Sequence, residues 1–190
     1  FVLDRAWRVV NRQASEVTGE FQPSLDAPEL IGQWPSDFRI RCRYRLQAGG
    51  LYASYHVENM GDECLPCGLG THAYFCIPSD IAAVKKCLLQ FSAKSHWHLD
   101  NMLTVGKGAQ LRDNGRYDLF RTGISLQGLQ LDDVFSDIDV VDGLAVASIV
   151  DQSARRKMTL TWDESCGTFV VYTPPHGEAV CIEPCSITPG

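Results

Sequence analysis

The sequence predicts an all-β fold, a β-sandwich of two packed sheets, and three observations carry that prediction. Apolar and polar residues alternate with period two in two pairs of neighbouring segments, each pair joined by a turn sequence. The stretches between strand-like segments are rich in Gly, Asp, Ser and Pro. No long window repeats apolar residues at the three-and-four spacing that a helix would bury, so helices are expected to be few and short. Many antiparallel strands with such connections pack as two sheets rather than as a parallel α/β layer. No repeat, low-complexity tract or linker divides the chain. Residues 1–190 are therefore expected to form a single domain, incomplete because both ends stop abruptly.

The first hairpin begins at Arg39. In Arg39-Ile40-Arg41-Cys42-Arg43-Tyr44-Arg45-Leu46 every second residue is charged, Gln47-Ala48-Gly49-Gly50 supplies a turn, and Leu51, Ala53, Tyr55 and Val57 resume the alternation. Cys87 to Phe91 and Val146 to Val150 are apolar runs of strand length. Met158, Leu160 and Trp162 repeat the period of two. Asp163-Glu164-Ser165-Cys166-Gly167 turns the chain, and Thr168-Phe169-Val170-Val171-Tyr172 returns as a buried strand. Ala179 to Ile182 is the last strand candidate.

Composition excludes several classes. With 45% hydrophobic and 21% charged residues the chain is globular rather than disordered. A net charge of -6 argues against a nucleic-acid partner, which needs a concentrated basic surface. No apolar run reaches the roughly 18 to 20 residues needed to cross a bilayer, so no membrane contact is expected. Of the eight cysteines, Cys64 and Cys67, and Cys181 and Cys185, have spacings seen in zinc sites. Cys42, Cys76, Cys87 and Cys181, however, sit in apolar strand-like stretches. The favoured reading is small, buried, reduced thiols in a cytoplasmic protein, with no metal and no cofactor.

Two polar residues stand in unusual places. His72 lies in Gly68-Leu69-Gly70-Thr71-His72-Ala73-Tyr74-Phe75, a Gly-rich loop running into an aromatic strand. Glu183 ends the apolar run Ala179-Val180-Cys181-Ile182 and precedes Pro184, and a glutamate is seldom buried unless paired or lining a cleft. Together they read as an acid/base pair assembled by folding, with a structural ion pair as the competing reading. In Leu131-Asp132-Asp133-Val134-Phe135 an extended chain sends the two carboxylates to opposite faces, so at most one enters a site. His96-Trp97-His98 offers two imidazoles without an evident third ligand and is expected to be an exposed strand with Trp97 packed inward. His56 and His176 read as a strand and a turn residue. Arg39, Arg41, Arg43 and Arg45 form a cationic row, expected to be the solvated face of a sheet.

These residues resemble the aldose 1-epimerase (galactose mutarotase-like) family. The resemblance is carried in order by Val57-Glu58-Asn59, Pro66, Gly70 to Phe75, Leu131 to Phe135, Val171-Tyr172-Thr173-Pro174 and Cys181-Ile182-Glu183-Pro184. It implies a β-supersandwich and interconversion of the α and β anomers of a free monosaccharide. It also implies His72 as general acid on the ring oxygen, Glu183 as general base on the anomeric hydroxyl, and Asp132 as a ligand of sugar hydroxyls. Ala73 departs from the proline common after that histidine. Family members are longer: a second functional His, followed by Gly, would fall just before Phe1, a substrate-contacting arginine further upstream, and more strands after Gly190. A fragment lacking them is expected to be weakly active and prone to associate through unpaired edges. In the sugar-phosphate branch an arginine often follows the His-Gly pair, where this chain has Leu3, with Arg5 offset by two. The alternatives are a non-catalytic carbohydrate-binding module of the same fold and a hexose-6-phosphate mutarotase.

Overall fold

The alternation at residues 38–59 produces the two longest strands of the chain. In the computed structural model, which describes residues 2, 4–77, 86–100, 103–111 and 116–188, they are β3 (Phe38–Gln47) and β4 (Gly50–Asn59), preceded by β1 (Arg8–Gln13) and β2 (Glu16–Phe21). The four form an antiparallel meander in sequence order. Ala48 and Gly49 alone turn β3 into β4, with φ of 49° and 78°, the left-handed pair that matches the twist of a two-residue hairpin. A short helix, α1 (Pro23–Asp26), follows β2. It is tied down by Asp37, which accepts hydrogen bonds from Gln22 Nε2 at 2.8 Å and Ser24 Oγ at 2.6 Å. Phe21, Ala27, Leu30, Phe38 and Ile40 form the core beneath this sheet. These strands lie in the first of two compact units, Phe1–Cys67 and Gly68–Gly190.

The second unit is the sandwich. One sheet has the order β5-β15-β14-β10-β7-β8, built from Tyr74–Cys76 (β5), Ala179–Cys185 (β15), Thr168–Tyr172 (β14), Asp132–Ile138 (β10), Ala93–Asp100 (β7) and Leu103–Gln110 (β8). The other has the order β11-β12-β6-β9, from Val140–Val141 (β11), Leu144–Asp151 (β12), Cys87–Phe91 (β6) and Ile124–Ser125 (β9). Arg156–Asp163 (β13) pairs with β12 over its whole length. Every pairing between described strands is antiparallel. Between the sheets lies one cluster containing Leu89, Phe91, Phe135, Ala147, Ile149, Phe169, Val171, Val180 and Ile182. Phe120 of the short helix α2 (Arg116–Thr122) stacks on Phe91 at 4.4 Å. Each such side chain removed from water contributes roughly 1.5–3 kcal/mol, so this cluster fixes which face of each strand turns inward.

Several expectations change. Cys76 is exposed, because only alternate residues of the edge strand β5 turn inward and Phe75 takes the inward place. His96 faces the sandwich interior, opposite Phe135, while Trp97 lies opposite Val134 on the other face and donates to Ser136 Oγ at 2.9 Å. That reverses the inward placement of Trp97. The arginine row is, as expected, the solvated face of a sheet, with Arg41, Arg43 and Arg45 exposed, and it is also paired: Arg39 binds Glu58, Arg41 binds Glu20 and Arg43 binds Glu16, at 2.5–2.6 Å. Leu3 and the side chain of His98 lie outside the described residues. No described helix is long and apolar enough to cross a membrane.

Candidate active site

Strand register decides which side chains share the face of the sheet opposite the core. Tyr74, Cys181, Tyr172 and Asp132 lie in one row across β5, β15, β14 and β10. Glu183, Val170, Val134 and Trp97 form the next row. Residues two apart on a strand point the same way, so Cys181 and Glu183 share this face while Val180 and Ile182 enter the core. Asp133, one residue on from Asp132, goes to the opposite side and bonds His96 there. The His96 and Asp133 pair thus belongs to the sandwich interior, not to this face.

His72 arrives from the loop before β5. Residues 68–71 run antiparallel to the end of β15: Leu69 O accepts from Ser186 N at 2.8 Å, Gly70 bridges Cys185, and Thr71 N donates to Pro184 O at 3.1 Å. The two glycines permit this approach. A Cβ on Gly68 would meet Ile187 Cδ1 at 2.1 Å, and one on Gly70 would meet Cys185 Sγ at 2.9 Å. Pro184 stands where β15 has passed the end of β5, so its missing N–H costs no strand bond and its carbonyl serves the loop.

The loop sets His72 Nδ1 3.2 Å from Glu183 Oε1. The imidazole is more than half exposed, whereas Glu183 is 8% exposed. Tyr74 stacks on the His72 ring, centroids 5.1 Å apart and planes within 12°. Cys181, fully buried, is the cross-strand neighbour of Tyr74, and its sulfur lies within 4.8 Å of the Glu183 carboxylate. Burial pushes the Glu183 carboxyl above the ordinary glutamate range. His72 opposes that shift, and the charge of Asp132 adds to it. Burial, with Glu183 beside it, drives the Cys181 thiol up to about 11. Asp132 is placed by a clamp at the start of β10, where Thr173 Oγ1 meets Leu131 N at 2.7 Å and Thr173 N donates to Leu131 O at 2.9 Å.

The structure therefore brings His72 and Glu183 into contact, with Asp132 near enough to act on Glu183 through its charge. Tyr74 and Cys181 complete the group, although the sequence reading gave neither a part in it. The period of two could have flagged Cys181, two residues from Glu183. Tyr74 follows His72 by the same interval. The ligating atoms of His72, Cys181 and Glu183 lie within 4.8 Å of one another, and among the described residues no other trio of such side chains converges this way.

The sequence profile of the aldose 1-epimerase family matches residues 1–190. The chain belongs to that family. Two solved structures have its fold. One is the Slr1438 protein from Synechocystis sp. PCC 6803, with a TM-score of 0.72 at 22% identity over 96% of this chain. The other is a galactose mutarotase-like protein from Lactobacillus casei ATCC 334, with a TM-score of 0.74 at 18% identity over 96% of this chain. The chain spans 56% and 62% of their respective lengths. No curated protein matches it.

Proposed function

We propose that this domain catalyses anomer interconversion of a free aldose, with His72 as acid, Glu183 as base and Asp132 as a ligand of sugar hydroxyls. The observation that carries the reading is the contact of His72 with a buried Glu183, on the face of a sheet opposite its core, in an aldose 1-epimerase family member. Ring oxygen and anomeric hydroxyl are bonded to the same carbon, so the acid and base for ring opening must act on neighbouring atoms. Two side chains already in contact need separate only slightly to admit them.

The protonated His72 gives its proton to the ring oxygen as the C1–O5 bond breaks and that oxygen keeps the bonding pair. Glu183 takes the proton of the anomeric hydroxyl, and the released O–H pair forms the C1 carbonyl. Rotation about C1–C2 presents the other carbonyl face. Reversing both transfers closes the ring with opposite configuration and returns each group to its starting state. A positioned acid and base each contribute roughly 10²–10⁴-fold. Burial raises the basicity of Glu183, which strengthens proton abstraction as long as the carboxylate remains ionised at the working pH.

The test is the decay of optical rotation in freshly dissolved α-glucose and α-galactose, with the full-length protein and its Glu183→Gln variant. The expected result is acceleration by the former that falls roughly 10²–10⁴-fold in the variant. An equally fast variant would remove Glu183 from the role of base. Saturable sugar binding without acceleration would establish the binding-module alternative.

A further inference from the structure

We infer that His72, Cys181 and Glu183 form a site for a thiophilic divalent cation of the Zn²⁺ class, whose occupancy competes with the sugar. The inference rests on the convergence of three different donors: an imidazole nitrogen, a thiol sulfur and a carboxylate oxygen, within 4.8 Å of one another. These are the three ligand types that zinc takes, at about 2.0–2.3 Å, which puts neighbouring ligands of a tetrahedral ion about 3.3–3.8 Å apart. A contraction of about 1 Å across the widest pair closes the site, and the exposed His72 is the member free to move. Alternation along β15 holds the other two donors on one face of a paired strand, so the site is largely set before the ion arrives.

The chemistry of the donors selects the ion. A thiolate disfavours Mg²⁺ and Ca²⁺, which take oxygen, and favours Zn²⁺, Cd²⁺ or Co²⁺. Cys181 is buried beside Tyr74 and Glu183. On binding, its proton leaves to solvent and the sulfur binds the metal. Three protein ligands would leave the fourth position of a tetrahedral ion to water. The inhibitory consequence, though not the binding itself, rests on the proposed acid/base reading. A cation holding His72 and Glu183 withdraws both groups from proton transfer.

Co²⁺ titration of the full-length protein tests this, because a cobalt–thiolate bond gives a charge-transfer absorption in the near ultraviolet. Cys64 and Cys67, an exposed pair with zinc-like spacing, are first replaced by serine to remove a competing site. The expected result is a band that saturates at one equivalent of Co²⁺, is abolished by Zn²⁺ and weakens when sugar is added. Cys181→Ser should lose the band with unchanged circular dichroism. His72→Ala, a change at an exposed position, should keep the thiolate but weaken Co²⁺ binding by about tenfold or more, since even outer partners of metal ligands cost that much. No band in the parent, or an undiminished band in Cys181→Ser, overturns the site. A band without any mutarotase activity leaves the metal site standing and removes the proposed reaction. Activity without a band does the reverse.

Discussion

At the residue scale the site is governed by one carboxyl group and the two charges that act on it. Burial raises Glu183, His72 lowers it and Asp132 raises it. A base works only when ionised, so the acid limb of kcat/KM should lie above the roughly 4.3 of a free glutamate. Asp132→Asn removes a negative charge that holds the proton on Glu183. The limb should therefore move to lower pH, even as the loss of a hydroxyl ligand lowers the plateau. A pH profile of the variant on α-galactose checks both. An acid limb that stays in place, or moves up, would mean that the limb does not report Glu183. Period two assigns the neighbouring carboxylates to opposite faces, and the register of β10 does separate Asp132 from Asp133, but the choice of Asp132 over Asp133 came only from the family resemblance. The Cys181 and Tyr74 contacts were not legible, since they depend on which strands become neighbours.

At the scale of elements, the loop of residues 68–72 turns a strand edge into a site. Gly70→Ala would bring Cβ to 2.9 Å from Cys185 Sγ, closer than real contacts allow, and the shift would be passed two residues on to His72. Turnover should fall at least tenfold, on the order of what a 1 Å misplacement costs, with thermal stability little altered. Adding Cys185→Ala removes the clashing atom and should recover most of the rate. Failure of that rescue would place the damage elsewhere. The β3–β4 hairpin offers a stability counterpart. Ala48 holds φ of 49°, a conformation that costs a Cβ-bearing residue about 1–2 kcal/mol and that asparagine tolerates better. Ala48→Asn should raise stability by about 0.5–1 kcal/mol, seen as a higher urea midpoint at unchanged slope. Hairpins were the easiest elements to read, because alternation and turn residues are local. The strands β1 and β2 were missed because β1 lacks that alternation and in β2 Gly19 interrupts it, leaving Glu16 and Glu20 to meet Arg43 and Arg41 on β3. The facing of His96 and Trp97 was misread because the larger apolar ring was assigned inward, whereas the regular pairing of β7 with β10 sets His96 beside the core residue Phe135 and Trp97 beside Val134 on the other face.

At the scale of the whole molecule, the described carboxylates divide unevenly between the two units, and this gives the protein an asymmetric response to acid. In Phe1–Cys67 the carboxyls of Glu16, Glu20 and Glu58 are held below their ordinary range chiefly by hydrogen bonds from Arg43, Arg41 and Arg39 respectively. Asp26 and Asp37 are pushed up by burial but held lower still by Arg8 and Gln22, and by Ser24 and Gln22. In Gly68–Gly190, Asp151 is lowered to about 2 by the Ala154 N–H, Ser153 and Arg156, and Asp163 is lowered by Ser165, but Glu183 is raised. A depressed carboxyl stabilises the fold above its unfolded value and loses that contribution as pH falls toward the folded one. Below about pH 4 the unfolded chain therefore binds more protons, and stability falls. Glu183 works in the opposite sense: burial favours its protonated form, so acid relieves its cost and rising pH restores it. Acidification should thus loosen the meander before the sandwich. Hydrogen exchange at pH 3 and pH 7, corrected for intrinsic rates, should show protection lost in β2 and β3 while β12, β14 and β15 keep theirs. Glu20→Gln should weaken the meander at neutral pH and flatten its acid response, since Glu20 is the mostly buried carboxylate shared by Arg8 and Arg41. Equal loss of protection in both units would show that acid acts through net charge over the whole chain rather than through these pairs.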